Sequence, residues 1–536
     1  MRLESRLKGY KSYIINLIVP AVVFGFITGT LTALVVTVYK ACAHHVIHYS
    51  QLGYEFLREH LEYLPVVLLC LLGFSCLFAY IYRKIPNTKG GGIPTSVGIL
   101  RGLIVFKWIR SLIGVFFLSL FSFLVGVPLG NEGPSVQMGT SIGRGAVYTF
   151  AKGKHRAWDR YTMTGGACAG FSVATGAPIS GILFAIEEAH QRISPTIMIV
   201  ASSSVLFANI ASHAFSQVFG VSTSIFGEIE IPQLAIKQLW IPLVVGLALG
   251  LFGAIILKYY QLLKKFFQKA LKKVPIGLKI FSIFTLTVIV GIISFSGIST
   301  GHDLILDLFE NKLTIGILIF ILLTRTTLTI GANTNGICGG MFIPSLAIGA
   351  VISAIVGKGL LACGVSEKYY GVILVLGMVA TLSGLMKSPL TAIVFSIEAL
   401  SCHENILPVI IVTLVAYFVT ELFEAKSIND SAMESRIEEQ NYGKEPVINQ
   451  QFVKIKFGSF AVGKQVRDIF WPSNLFVLSV KKAKSENEEL DGHGGKELRV
   501  GDILHVKYST LDEKTTLYEL EGIVGEQTEE KIDPSV

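Results

Sequence analysis

Three short stretches of this sequence bring glycine and proline together in apolar surroundings: Gly90-Gly91-Gly92-Ile93-Pro94, Gly130-Asn131-Glu132-Gly133-Pro134 and Gly340-Met341-Phe342-Ile343-Pro344. Glycine lets a backbone approach a ligand closely. Proline is tolerated in the first turn of a helix, where its missing N–H has no partner to lose. Each stretch therefore predicts a helix N-terminus, with unpaired amides and partial positive charge that suit an anion. An anion leaving water needs its hydration replaced without being trapped, and amides do this without a full cation. The second stretch adds a carboxylate, Glu132. A glutamate at lipid depth is costly and marks function. A second acidic pair, Glu187-Glu188, follows the apolar run that begins at Pro178.

The elements that position these residues are membrane helices. Of 536 residues, 51% are hydrophobic and 16% charged, against about 25% charged in soluble domains, and the mean hydropathy is +0.59. A bilayer needs roughly 20 apolar residues per span. Such runs occur at Tyr13–Tyr39, Leu64–Tyr82, Leu112–Val127, Leu239–Leu257, Ile280–Ile298, Ile315–Leu323 with its flanks, Tyr370–Leu385 and Ile406–Leu422. The basic opening Met1–Lys11 precedes an apolar run too long for a cleavable signal, so it reads as leading into the first helix. The net charge of +8 sits in short loops: Arg83/Lys84/Lys89, Lys152/Lys154/Arg156/Arg160 and Lys264/Lys265/Lys269/Lys272/Lys273. Positive charge so placed assigns those loops and both termini to the cytoplasm of a multi-pass cell-membrane protein and speaks against a nucleic-acid polymer as partner. The seven cysteines contain no CxxC pair and read as small core residues. His44, His45 and His48 have no carboxylate or thiol with them and read as a solvated loop, so no metal is expected.

The chain repeats itself. Gly176-Ala177-Pro178-Ile179-Ser180-Gly181 through Glu187 returns as Lys387-Ser388-Pro389-Leu390-Thr391-Ala392 through Glu398, and Pro134–Gly139 returns as Pro344–Gly349 at nearly the same offset. One half of the membrane region therefore repeats the other, as in transporters that bind substrate between halves at broken helices. After about Ala425 the composition turns polar. Lys426–Gln451 reads as a linker, and Phe452–Phe457, Asn474–Val480 and Asp502–Lys507 alternate with the period of half-buried strands. Leu517, Leu520 and Ile523 suggest a closing helix. The expected division is 1–429 for the membrane domain, 430–450 for the linker and 451–536 for a small α+β domain.

The three glycine–proline stretches, in this order and spacing, resemble the GSGIP, G(K/R)EGP and GxFxP motifs of the CLC chloride channel and transporter family. The resemblance continues through Pro178–Glu188 and covers roughly Tyr13–Asn429. It implies an all-α polytopic membrane protein with an inverted repeat and broken helices, followed here by the small α+β cytoplasmic domain. It further implies a homodimer in a lipid bilayer with one anion pathway per subunit and chloride as substrate ion. The resemblance makes Glu132 the gating glutamate and Glu188 the internal proton glutamate of the family's exchangers. The anion site it implies is formed by Gly91, Gly92, Ile93, Gly133, Met341, Phe342 and Asn429. Glu187, whose repeat partner is Glu398, reads as structural.

The chain departs from the family pattern at three positions. Gly91 replaces the serine of GSGIP, Asn131 replaces the basic residue of G(K/R)EGP, and Asn429 falls where the family has its inner-gate tyrosine. Both inner hydroxyls are thus missing, which opens anion selectivity and the tightness of proton coupling. Three readings follow: a proton-coupled chloride antiporter, a passive voltage- or pH-gated anion channel of the same fold or a fluoride-selective exchanger, and a non-transporting sensor, against which the intact Glu132 argues. Phe452–Phe457, Ala461–Val466 as a turn into a helix, and Leu498–Leu504 resemble the TrkA-C (RCK-C) domain. That resemblance implies dimerisation and a small regulatory ligand such as cyclic di-AMP, in a bacterial protein with no other cofactor; a plain assembly domain is the alternative.

Overall fold

The apolar runs become helices because a bilayer offers backbone groups no partner but each other. The computed structural model describes residues 17–90, 92–150, 156–191, 193–227, 229–483, 494–495 and 497–527. The readings made for Gly91, for Lys152 and Lys154, and for the segment before Leu17 lie outside those residues. Among the described residues, nine helices are long and apolar enough to cross a membrane.

The first half contains α1 (Val19–Glu59), α2 (Leu64–Lys84), α3 (Ile93–Leu100), α4 (Trp108–Leu124), α5 (Glu132–Phe150), α6 (Asp159–Thr175), α7 (Pro178–Phe184) and α8 (Pro195–Phe219). The second half follows as α9 (Trp240–Lys265), α10 (Ile276–Ile293), α11 (His302–Phe309), α12 (Ile315–Thr334), α13 (Phe342–Ala362), α14 (Tyr370–Thr381), α15 (Pro389–Ala399) and α16 (Ile406–Leu422). The starts of α5 to α8 recur at α13 to α16 with the offset of the sequence repeats. Packing repeats as well: α1 lies on α8 and α5 on α6, while α9 lies on α16 and α13 on α14. Small residues permit this approach. Gly139 and Gly166 press backbone to backbone between α5 and α6, and Gly349 meets Gly377 between α13 and α14. A Cβ at either residue of the first pair would strike the other's carbonyl.

Two spans, α8 and α13, are absent from the apolar runs read in the sequence. Serines at Ser202, Ser203 and Ser204 dilute the hydropathy of α8, and α13 shows itself there only through its N-terminal motif. His44, His45 and His48 lie on the exposed face of α1, which continues well past its apolar run, so they are helical and not in a loop. Of the cysteines, Cys168, Cys338 and Cys402 are buried, whereas Cys70, Cys76 and Cys363 are exposed and Cys42 is intermediate. The core reading therefore fits only three of the seven.

The expected linker is mostly helix. α17 (Ile428–Gln440) starts where Ser427 accepts the Asp430 amide, and its far end is tied back by Lys89 to Glu439 at 2.6 Å. Its polar composition resembles loop because this helix packs through a few residues at its start, among them Ile428, Asn429 and Met433. In the tail, β1 (Val447–Lys454), β2 (Leu475–Lys481) and β3 (Ile503–Thr510) form an antiparallel sheet of order β1-β3-β2, closed by α18 (Glu513–Val524). β1 begins upstream of its expected start, paired from Val447 to Thr510. The turn after Ala461 leads only into a short 3₁₀ turn, Val466–Asp468.

Candidate functional site

The three glycine–proline stretches meet at the junction of the two halves. Gly92 lies against the backbone of Gly133, and Gly133 against that of Gly340, so close that a Cβ at any of them would crowd the next. Gly130 and Gly340 exchange backbone hydrogen bonds of 2.8 and 2.7 Å. These contacts bring the N-termini of α3, α5 and α13 to one place. Each proline falls within its helix's first turn, where the amides are unpaired. Ile93, Gly133, Met341 and Phe342 are all buried there. Phe342 is clamped edge-on between Phe171 at 5.1 Å and Phe395 at 5.0 Å.

One expected donor is already committed. The Gly92 amide donates to Gln137 Oε1 at 2.7 Å, and Gln137 Nε2 is in turn fixed by Asn87 O and Ser111 Oγ. The Gly92 N–H thus holds a side chain of α5, and Gly92 is also a close-approach residue, against Gly133. Gln137 is invisible in the sequence, as a single amide inside a helix.

Glu132 is the first residue of α5 and is fully buried. Its carboxylate faces the Ile343 amide at the start of α13, yet among the described residues neither oxygen completes a hydrogen bond of good geometry. Lys40 of α1 and His302 of α11 act on it electrostatically. Lys40 Nζ donates to Val173 O and Ser222 O, both at 3.1 Å. It supplies a basic group near Glu132 where Asn131 supplies none. Its signal is present in the sequence as the one lysine of α1, directly after the apolar run Tyr13–Tyr39.

Glu188 lies on a π-helical turn, Ala185–His190, that continues α7. Its Oε1 accepts from Ser388 Oγ at 2.7 Å, and Asn429 Nδ2 donates to both oxygens at 3.3 and 3.2 Å. Glu188 is therefore a held carboxylate. A narrow cavity of about 10 Å³ runs beside Glu188, lined by Ile93, Phe342, Met386 and Ser388 among others. That is room for about one water molecule. Its lining includes Glu188 and the first residues of α3 and α13. Asn429, buried at the start of α17, belongs to the Glu188 end of this arrangement. Ser388 is a partner that sequence reasoning missed, although the repeat marks it: a hydroxyl stands there where the first half has Ala177.

The neighbour Glu187 does something else. It accepts from the amides of Leu390 and Thr391 at 2.9 and 2.7 Å, capping α15. Glu398 does the same for Ile179 and Ser180 at the start of α7, at 2.7 and 2.8 Å. The two glutamates that correspond in the repeat thus staple the halves reciprocally.

A family model described as voltage gated chloride channel matches residues 73–421. The chain is similar to the H(+)/Cl(-) exchange transporter ClcA of Salmonella typhimurium, with 28% identity over 432 residues that cover 77% of this chain and 88% of that one. Among solved structures it is similar to a slow cyanobacterial Cl-/H+ antiporter, with a TM-score of 0.69 and 25% identity over 79% of this chain and 98% of that one. A CLC-type fluoride/proton antiporter shares the fold, with a TM-score of 0.59 and 19% identity, covering 76% of this chain and 96% of that one.

Proposed function

Because the chain belongs to the voltage-gated chloride channel family, a family of multi-pass membrane transporters and not enzymes, we propose that it exchanges chloride for protons. Glu132 is the gating glutamate and Glu188 the internal proton glutamate. The anion passes between the N-termini of α3, α5 and α13, at Ile93, Gly133 and Phe342. The observation that carries this reading is the pair of carboxylates at the two ends of one helix-terminus cluster, Glu132 without a hydrogen bond of good geometry among the described residues and Glu188 held. The exchange activity named for the Salmonella relative supports it.

Deprotonated, Glu132 competes with chloride for amides such as that of Ile343. Protonated, it loses the charge that the amides favour and leaves the site to the anion. Glu188 faces the opposite end, where Ser388 and Asn429 orient it to take protons from the cytoplasm. Asn429 donates to Glu188 through its amide, so the position without the family's hydroxyl is still polar. Purified protein in liposomes with an outward chloride gradient should take up protons against their own gradient. Purely passive anion flux would return the chain to the channel reading. Loose discrimination among small anions follows from a site of backbone amides; strong preference for fluoride over chloride in efflux would favour the fluoride exchanger.

The remaining parts of the proposal concern assembly. The chain works as a homodimer in the cell membrane of a bacterium with both termini cytoplasmic, divided at 1–429, 430–450 and 451–536. The tail, with its three-stranded sheet and α18, is a TrkA-C-like regulatory domain that takes a cyclic dinucleotide across its two-fold axis. Calorimetry of the full-length protein with cyclic di-AMP tests this, and absence of heat returns the tail to an assembly role.

A further inference from the structure

The tail reaches the turn that carries Glu188. Its segment Asp468–Ser473 lies against the start of α6 and against the π-helical turn Ala185–His190. The Phe470 ring rests on the His190 imidazole at 4.4 Å and on the Tyr161 ring at 4.6 Å. Tyr161 Oη donates to Asp468 O and accepts from the Phe470 amide, both at 3.1 Å. Arg160 fastens the far end of the segment, donating to Trp471 O at 2.7 Å and to Ser473 Oγ at 3.0 Å.

His190 is two residues from Glu188 on the same turn, and its Nε2 lies 2.8 Å from Thr164 Oγ1 of α6. On the opposite side Arg101 donates to the backbone carbonyls of Glu188 and Ala189, both at 2.9 Å. The turn is therefore held by Arg101 of the membrane part through its backbone and by Phe470 of the tail through its last residue, His190. A π-turn carries one residue more per hydrogen-bonded ring than an α-helix and is typical of functional sites. It ends at Gln191 in the left-handed region, φ 51. Among the described residues, the tail meets α3 and α5 near their C-terminal ends, at Gly102 and around Arg144 and Tyr148. The anion-facing N-termini are at the other ends of those helices.

We propose that His190 and Phe470 are positioning residues for Glu188, so that the docked tail sets proton supply while leaving the anion path unchanged. A ligand or a change in the tail that shifts Asp468–Ser473 would alter the proton-to-chloride ratio and not the chloride rate. This inference rests on the antiporter reading and adds to it the place where regulation enters.

The test uses the full chain in liposomes, with proton and chloride fluxes measured on the same preparation. Phe470→Ala should lower proton flux relative to chloride flux roughly 2- to 10-fold, the factor that corresponds to one aromatic contact. Phe470→Tyr keeps the ring and should restore the wild-type ratio. Phe470→Leu keeps the burial without the ring and stands in should Phe470→Ala fail to fold; it should lower the ratio in the same direction. A coupled wild type with an unchanged ratio in Phe470→Ala or Phe470→Leu overturns this inference alone. Equal loss of both fluxes also overturns it, because it marks simple docking. A wild type that moves no protons overturns the antiporter reading and this inference with it.

Discussion

At one end of the junction, Glu132 begins α5 with neither oxygen in a full hydrogen bond among the described residues; at the other, Glu188 is held by Ser388 and Asn429. Glu132 is fully buried and Glu188 partly so, but the sharper difference lies in their hydrogen bonds. What differs is the cost of leaving. A buried carboxylate without partners already bears its desolvation penalty, and one proton removes the reason for it to stay near the amides. A carboxylate with charge-assisted hydrogen bonds loses them by moving, each worth about 1.5–3 kcal/mol. On the proposed antiporter reading, the pair divides the labour between a moving group at Glu132 and a stationary relay at Glu188.

The largest effect expected of any single change is at the moving group. Glu132→Gln mimics the protonated side chain, so proton transport should fall by about 100-fold or more, the scale of a lost acid–base group. Chloride flux should persist, now uncoupled. Retained uphill proton transport in this variant would remove Glu132 from the proton path and break the comparison.

Glu188→Gln should follow in size, with proton transport cut about tenfold or more and chloride flux again kept. Its outer gate stays chemically intact, so chloride flux should still respond to external pH, unlike that of Glu132→Gln. The double variant should add little to either single one, because both residues serve one route. If Glu188→Gln also removed the response to external pH, the two ends would not be separate.

This contrast between the two ends is only partly legible in the sequence. Glu132 and Glu188 stand out because glutamate is rare in apolar runs and because their neighbours match a family pattern. A structural role for Glu187 follows from its repeat, since a repeat that preserves a glutamate preserves a geometry. The partners are not legible. Ser388 lies two hundred residues from Glu188 in the chain and Asn429 farther still, and nothing local announces either contact. Gln137 is unreadable for the same reason, as a lone polar residue whose meaning depends on which backbone lies opposite. Lys40 shows itself in the sequence without showing that it faces Glu132. Helix α17 is lost because its sequence is polar on average. The fold is written in periodicity and hydropathy, which are local; the site is written in contacts, which are not.

The inner partners offer a sharper and smaller test. Ser388→Ala removes the shortest bond to Glu188 without adding charge or bulk, and Asn429→Leu removes the other donor. Each should reduce proton transport about 3- to 10-fold, the loss of one charge-assisted hydrogen bond in part made good by water. Chloride flux should change little. If loosening the relay instead raised the proton rate, holding Glu188 still would not be what these bonds are for.

The smallest effect is expected beside the relay, at Glu187. Its carboxylate and that of Glu188 are neighbours in sequence but face different tasks: Glu187 caps α15 through the Leu390 and Thr391 amides and the Thr391 hydroxyl. A neutral glutamine side chain at this position can still accept one of these bonds, but it loses the charge that favours a helix N-terminus. Glu187→Gln should therefore lower stability by about 1 kcal/mol, read as a lower melting temperature in detergent. Glu398→Gln should do the same at α7, where Ile179 and Ser180 lose their cap. Because both caps fasten the same pair of helices across the two halves, the double variant should depart from the sum of the singles. Proton coupling should survive Glu187→Gln far better than Glu188→Gln. Were the two neighbours equally costly to coupling, the division between a structural and a proton-carrying glutamate on this turn would fail.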